Sequence, residues 1–309
     1  MPASDWSAQM GLELYTVRDR MAKDAAGTLA RVAALGYKEV EPDDYSGLDP
    51  KAYRALLDKN GLTAPSTHAN LYPGPNLEKT LEGFQILGHK YCWVEPPPSP
   101  AQASLLQRVM KGGAMPSTPG GMLPLLRAFF PRQTPDEVKR TVALYNQTGA
   151  VAKKYGMQIL VHNHTYEFQR FPGSEQCPYD IVLAESDPEL VVMQLDIGWA
   201  SVAGEDILAM FQKHPGRFVL WHVKDAMALQ YLFPQPEMDE VQRMAVANSW
   251  LVPMGLGGID YGTIFQHAST AGMQHFCVEQ DNAADWGDSM AAAGRSFTGL
   301  KRALAQTQI

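Results

Sequence analysis

Four short apolar runs in this chain turn polar on residues that bind cations or move protons. "LVHNHTYEF", residues 160–168, crowds His162, His164 and Glu167 around an asparagine. "VVMQLDIGW" carries Asp196, "RFVLWHVKD" carries His222 and "HFCVEQD" carries Glu279. A lone histidine at such a place is usually a core residue satisfied by backbone groups, but four polar endings of one style ask for a common cause. Glu167, Asp196, His222 and Glu279 offer three carboxylates and one imidazole, a hard-leaning donor set for a divalent ion: Mn²⁺ foremost, with Mg²⁺, Co²⁺ or Zn²⁺ as alternatives. Three carboxylates without a cation would repel one another, so bound metal is a simpler state near neutral pH than protonation.

For these residues to meet, their runs must be strands of one closed sheet. Short β-type runs alternate with longer segments of helical period along the whole chain: "GLELYTV" then "DAAGTLARVAALG", "YKEVEP" then "DPKAYRALLDKNG", and so on to "HFCVEQD" and "DSMAAAGRSFTGLKRALAQ". Gly36 and Gly61 stop the first two helices. The count reaches eight strand–helix units, which predicts an α/β fold, a (β/α)8 barrel formed by residues 1–309 as a single domain. In such a barrel the C-terminal strand ends converge on one mouth, where residues from several strands act together. Two Pro- and Gly-rich stretches break the rhythm, about 95–134 after the fourth strand and 226–256 after the seventh. Both are expected on the mouth side as lids, with oligomer contacts as the competing use.

Composition removes several classes of function. With 45% hydrophobic and 19% charged residues, the 309-residue chain reads as an ordinary globular protein with a sizeable core. No apolar run approaches the ~18 to 20 residues of a membrane span, and "MPASDWSAQMG" lacks the pattern of a signal peptide. The expectation is a cytoplasmic protein without a membrane partner, or a periplasmic one if a leader has been removed. Cys92, Cys177 and Cys277 are odd in number and not spaced as a zinc ribbon. A net charge of −7 without a basic stripe argues against nucleic acid as a partner, because phosphate binding draws on clustered Lys and Arg. A small carbohydrate is the expected substrate, and a homo-oligomer is compatible with the long insertions.

Six segments in order, "GLELYTVRDRMAKDAAGTLARVAALGYKEVE", "HNHTYEF", "LDIGW", "HVKD", "GLGGIDY" and "VEQD", resemble the sugar phosphate isomerase/epimerase family of xylose isomerase-like TIM barrels. The resemblance runs over most of the chain and implies a divalent metal at the barrel mouth acting on a carbohydrate or polyol. It maps Asp196, His222 and Glu279 onto the ligands of the sixth, seventh and eighth strands. Ketose 3-epimerases of this superfamily carry a further glutamate within the fifth strand, where this chain has "LVHNH". The subgroup with H-N-H-x-x-E-F is expected to supply its ligand from Glu167, with His164 as the rival, while His162 and His164 reach substrate or move protons.

Other strand ends offer further contacts. His68 in "PSTHAN" could hydrogen-bond a sugar hydroxyl, Glu41 could orient a ligand or form a salt bridge, and Arg18 could bind an anionic group or Asp19. Lys224 lies two residues beyond His222, so strand alternation puts both on one face, where an ammonium could stabilise an enediolate oxygen or hold a carboxylate. Trp93, Trp199 and Trp221 are packing residues by default, although one, Trp199 foremost, could stack on a sugar ring. A metal that polarises a substrate carbonyl acidifies the adjacent C–H, and the enediolate formed then decides the reaction. Reprotonation gives a sugar isomerase or epimerase, the leading reading. Loss of a β-group gives a lyase or dehydratase of inososes, or cleavage of 3-keto-glycosides. A carbohydrate-binding barrel without catalysis is the alternative of a different class.

Overall fold

In a computed structural model of the chain, residues 6–94, 96, 102, 104, 107, 119–231 and 237–306 are described. Eight parallel strands form the barrel: β1 (Gly11–Glu13), β2 (Glu39–Glu41), β3 (Ser66–Leu71), β4 (Tyr91–Val94), β5 (Gln158–His162), β6 (Val191–Asp196), β7 (Leu220–Val223) and β8 (His275–Val278). They pair in the order β2-β1-β8-β7-β6-β5-β4-β3. The remaining seam is bridged by a parallel contact of Glu39 with Thr63, by Val40 N–H donating to Thr63 O at 2.8 Å and by His68 N–H donating to Pro42 O at 2.9 Å. The fold is a (β/α)8 TIM barrel.

Local chemistry sets where the helices begin and end. Asp24 accepts from Gly27 N at the start of Ala25–Leu35, and Gly36 closes that helix at φ +111°, a conformation open to glycine. Thr134 and Glu137 form a reciprocal capping box on Pro135–Ala152. One expected strand is shorter than its sequence suggests. "GLELYTV" is extended only over Gly11–Glu13, and Leu14–Val17 forms a 3-10 turn because the Glu13 carboxylate accepts from Tyr15 N at 3.3 Å.

Inside the barrel, strand alternation stacks two unlike layers. Leu160, Val192, Leu220 and Tyr91 form a buried apolar cluster near the strand starts. Two residues further on, β5, β6 and β7 present His162, Gln194 and His222, so the same period places a polar layer above an apolar plug. Outside, the main core packs strand residues such as Val161, Met193, Leu195 and Trp221 against the helices.

Most of 97–118 and all of 232–236 lie outside the described residues, so the expected insertions are seen only in part. The helix Pro119–Phe129 and the helix Glu240–Ala247 come from different insertions and meet: Leu126 and Phe130 pack on a cluster with Met244, Ala247 and Trp199, and Arg127 donates to Asp239 Oδ2 at 3.0 and 2.6 Å. The second insertion is tied back to β7 by Asp225, whose carboxylate accepts from Ala226, Gly255 and Gly257 N–H at 3.0, 2.9 and 3.0 Å. A short antiparallel ladder of Asp225–Ala226 with Leu251–Val252 completes the tie.

Gly198 lets the helix Ile197–Val202 approach the end of β7: a Cβ there would stand 2.7 Å from Lys224 Cβ and from Lys224 O. Gly198→Ala is therefore expected to cost about 1–3 kcal/mol, the range for overpacking a tight interior. Urea unfolding checks this, and an unchanged midpoint would show that the contact relaxes freely.

Candidate metal centre

The mouth of the barrel gathers His162, Asp196, His222 and Glu279 so that one ligand atom from each lies within 4.8 Å of the others. Each position follows from the strands. His162 ends β5, Asp196 ends β6 in register with His222 on β7, and Glu279 directly follows β8. Asn163, the residue after β5, locks two of these ends together: its Oδ1 accepts from Asp196 N at 3.0 Å and its Nδ2 donates to Asp196 O at 3.2 Å. Asp196 also caps the next helix, with Oδ1 accepting from Trp199 N at 2.7 Å. Its buried Oδ2 faces the Lys224 ammonium at 3.1 Å, while His162 Nδ1 is buried without a hydrogen-bond partner.

Opposite charges hold the floor of the site. His222 Nδ1 is 2.7 Å from Glu279 Oε2 and its Nε2 is 2.6 Å from Glu41 Oε1, and the ring is fully buried. Burial opposes the imidazolium, but the two carboxylates outweigh it and raise the pKa to about 10. Burial likewise opposes the carboxylates, yet Glu41 is held far below its ordinary range by His68 and His222, and Glu279 by Lys224 and His222. Gln194 Nε2 donates to both oxygens of Glu41 at 3.0 and 2.7 Å, and its Oε1 lies 2.6 Å from His68 Nε2. Lys224, fully buried, places Nζ 3.1 Å from Asp196 Oδ2, 3.0 Å from Glu279 Oε2 and 2.6 Å from Asp281 Oδ2. Tyr261 holds that lysine by its backbone, its hydroxyl accepting from Lys224 N at 2.9 Å and donating to Lys224 O at 2.8 Å.

Glu167, expected among the ligands, stands outside this group. The 3-10 turn Tyr166–Phe168 folds it back on its own strand end, where Oε2 accepts from His164 N at 2.8 Å, and burial raises its carboxyl to about 7. His162 occupies the position in the cluster instead. Sequence reading ranked His162 with substrate contacts, although strand alternation aligns it with Gln194 and carries the signal. His164 lies beside it, ring centroids 4.9 Å apart, with Nδ1 3.2 Å from the Tyr166 hydroxyl. Loss of solvent, then the charge of Lys224, lowers the pKa of His164 to about 3.

The outer residues distribute differently from expectation. Trp199 is only 2% exposed and packs among Val202, Met244 and Leu251 with Lys224 Nζ 4.7 Å from its ring, so no face is open to a sugar. Trp221 is stacked on Phe211 in the outer core. Arg18 donates to Tyr15 O and Asp281 O at 2.8 and 2.9 Å, bracing the segment after β1 against the segment after β8, while Asp19 pairs with Arg20 at 3.3 Å. His68 lies within β3 rather than at its end, and joins the floor through Glu41 and Gln194. Glu13 and Asp281 belong to the floor as well and were missed. Glu13 aligns with Glu41 across β1 and β2, a pairing that only the barrel register reveals.

The donor chemistry fits a divalent cation. Two carboxylates and two imidazoles converge, and one of their atoms, His162 Nδ1, is buried with no hydrogen-bond partner, a costly state that a cation relieves. Fold and site thus define a barrel protein with a candidate metal centre at its mouth. The chain belongs to the xylose isomerase-like TIM barrel family, whose model matches residues 29–298. It is 27% identical to the inosose dehydratase of Lacticaseibacillus casei over 157 residues, spanning about half the length of that relative, 51%, and 50% of this chain. It is 29% identical to the inosose dehydratase of Geobacillus thermodenitrificans over 259 residues, 82% of each chain. A sugar phosphate isomerase/epimerase from Parabacteroides distasonis superposes with a TM-score of 0.66 at 19% identity, over 99% of this chain and 100% of that one. A barrel protein from Mycobacterium smegmatis in complex with magnesium (TM-score 0.58, 15% identity, all of both chains) shares the fold. So does the IOLI protein with a zinc atom (TM-score 0.60, 12% identity, 97% of this chain and 99% of that one). Among the described residues no helix is long and apolar enough to cross a membrane.

In metal-free protein the raised pKa of His222 makes stability depend on pH. Its imidazolium contribution is present in full below the ordinary value of 6.5 and is lost as pH rises through about 10. Thermal unfolding of chelator-treated protein across that interval should show the decline, and His222→Gln should flatten it. An identical slope in the variant would assign the dependence elsewhere.

Proposed function

We propose that this chain is a divalent-metal-dependent enzyme that removes the proton beside the carbonyl of a small keto-polyol or keto-sugar and eliminates the neighbouring hydroxyl, a dehydratase. The observation that carries this is the convergence of His162, Asp196, His222 and Glu279 next to a neutral His164. Those four residues would hold the ion, which when bound supplies a Lewis acid for the carbonyl oxygen. The similarity to inosose dehydratases supports the substrate class, and the magnesium- and zinc-bearing neighbours support a divalent ion.

The chain's own groups have distinct parts in this reading. His164 keeps its lone pair above about pH 3, so it is an acceptor at neutral pH; in the tautomer with Nδ1–H directed at the Tyr166 hydroxyl, Nε2 would take the substrate proton and return it to the departing hydroxyl, which leaves as water. Lys224 contributes fixed positive charge against the negative charge that proton loss creates. Glu41 and Glu279 orient the His222 ring from its two nitrogens, at 2.6 Å from Nε2 and 2.7 Å from Nδ1. In this reading the two insertions act as lids on this side of the mouth, which the stacking of Phe130 on Tyr166, centroids 4.4 Å apart, supports. An isomerase or epimerase would begin with the same proton loss. Elimination ranks ahead of it here because the fifth strand reads "LVHNH" where ketose 3-epimerases carry a glutamate, which weakens a symmetrical two-glutamate proton exchange.

Inososes and free ketoses incubated with metal-loaded protein in deuterated buffer separate the readings. Unsaturated product is expected; deuterium uptake without unsaturation would mean isomerase or epimerase, and neither outcome would sink the enzyme assignment. His162→Ala and Asp196→Asn should each weaken metal affinity at least about tenfold, whereas Glu167→Gln should retain it. Metal lost from the Glu167 variant but kept by the His162 variant would reverse the ligand assignment.

A further inference from the structure

Within "HNHTYEF", Glu167 stands outside the ligand cluster and yet grips His164 twice. Its Oε2 accepts from His164 N at 2.8 Å. Its carboxylate also accepts a hydrogen bond from the Tyr166 side chain, and the Tyr166 hydroxyl lies 3.2 Å from His164 Nδ1. A hydroxyl has one hydrogen to give, and an ionised carboxylate can only accept. That hydrogen therefore goes to Glu167, and the hydroxyl oxygen is left to accept from His164 Nδ1–H. A neutral imidazole protonated on Nδ1 keeps its lone pair on Nε2, so the partner of one ring nitrogen decides the state of the other.

The direction of the hydroxyl depends on the ring that carries it, and the two insertions hold that ring. Phe130, which follows the helix Pro119–Phe129, stacks on Tyr166 with centroids 4.4 Å apart and planes 19° apart, and its centroid is 6.1 Å from that of His164. The Tyr166 and His164 rings are themselves within 13° of parallel, so one phenyl ring lies against both. The end of its helix is fastened by Gln102 Nε2, which donates to Phe129 O at 2.7 Å. From the other insertion, Glu240 O accepts the Thr165 hydroxyl at 2.6 Å, one residue before Tyr166. We propose that Glu167, Tyr166 and Phe130 are positioning residues that fix His164 in one tautomer, with hydrogen on Nδ1 and the lone pair on Nε2. Glu167 and Tyr166 set the hydrogen bonds, and Phe130 keeps the rings aligned. The catalytic consequence rests on the reading of His164 as the base, whereas the tautomer itself does not. In this arrangement the base is ready only when the first insertion is in place.

Protein labelled with ¹⁵N-histidine and saturated with Mg²⁺ tests the proposal by NMR correlation of ring nitrogens with carbon-bound ring protons. The spectra are taken at about pH 8.5, above the value of about 7 to which burial raises the Glu167 carboxyl, and His164→Asn identifies the signals by their loss. The wild type should show a single tautomer at position 164 with Nδ1 protonated. Tyr166→Phe and Phe130→Ala should draw the two nitrogen signals toward a common average, as should Glu167→Gln, whose amide can donate to the hydroxyl as well as accept from it. Phe130→Tyr, which keeps the flat ring, should preserve the wild-type pattern. Nε2-protonated or already averaged signals in the wild type would overturn the proposal, as would a wild-type pattern in Tyr166→Phe. A wild-type pattern in Phe130→Ala alone would overturn the part given to Phe130. If Phe130→Ala fails to fold, Phe130→Leu, which fills the space without a flat face, takes its place. With an inosose as probe, Tyr166→Phe and Phe130→Ala should lower kcat severalfold with KM little changed. Full activity in His164→Asn, or no turnover by the wild type, would count against the dehydratase reading alone, because the spectra need no substrate.

Discussion

The interior of this barrel is governed by the need to compensate buried negative charge. Carboxylates taken out of water are costly unless cations and donors meet them. Here Lys224 is drawn among Asp196, Glu279 and Asp281, and His222 bridges Glu41 and Glu279. These contacts give the mouth its shape. They also explain why so much of the surrounding structure is devoted to fixing Lys224 and His222: the Tyr261 hydroxyl grips the lysine backbone, and Gly198 leaves room for it. An arrangement held by protons and one ammonium is also one that a divalent ion can enter by exchanging charge for charge.

Several residues serve fold and site at once. Asp196 caps a helix with one carboxylate oxygen while the other faces the centre. Asn163 stitches β5 to β6 beyond the end of their ladder, which sets the spacing of His162 from Asp196. Asp225 gathers the returning end of the second insertion on its carboxylate, so "GLGGIDY" is held where it can present Tyr261 to Lys224. Substitutions at such positions act on stability and on site geometry together, since the same hydrogen bonds carry both.

Much of the architecture was legible in the chain. Alternation of strand and helix patterns, Gly36 and Gly61 after their helices, and polar residues after apolar runs were sufficient for an eight-fold barrel with Asp196, His222 and Glu279 at its mouth, because period and capping are local properties. The role of β5 was less legible. Glu167 has the chemistry of a ligand, but a 3-10 turn returns its carboxylate to the backbone of His164, and no periodicity announces such a turn. Trp199 likewise has the chemistry of a sugar platform, yet helices from both insertions help to bury it.

What the sequence determined by itself was the set of elements and the chemical character of their ends, since each depends on neighbours within a few positions. What only the tertiary structure decided was partnership across the barrel: Glu13 beside Glu41, His68 reaching Gln194 on β6, and Lys224 shared by three acids from two strands. Those contacts join residues more than a hundred positions apart in some cases, such as Glu41 and His222 at a separation of 181. Closure and register of the sheet bring them within hydrogen-bond reach, and neither is encoded in any single stretch of the chain.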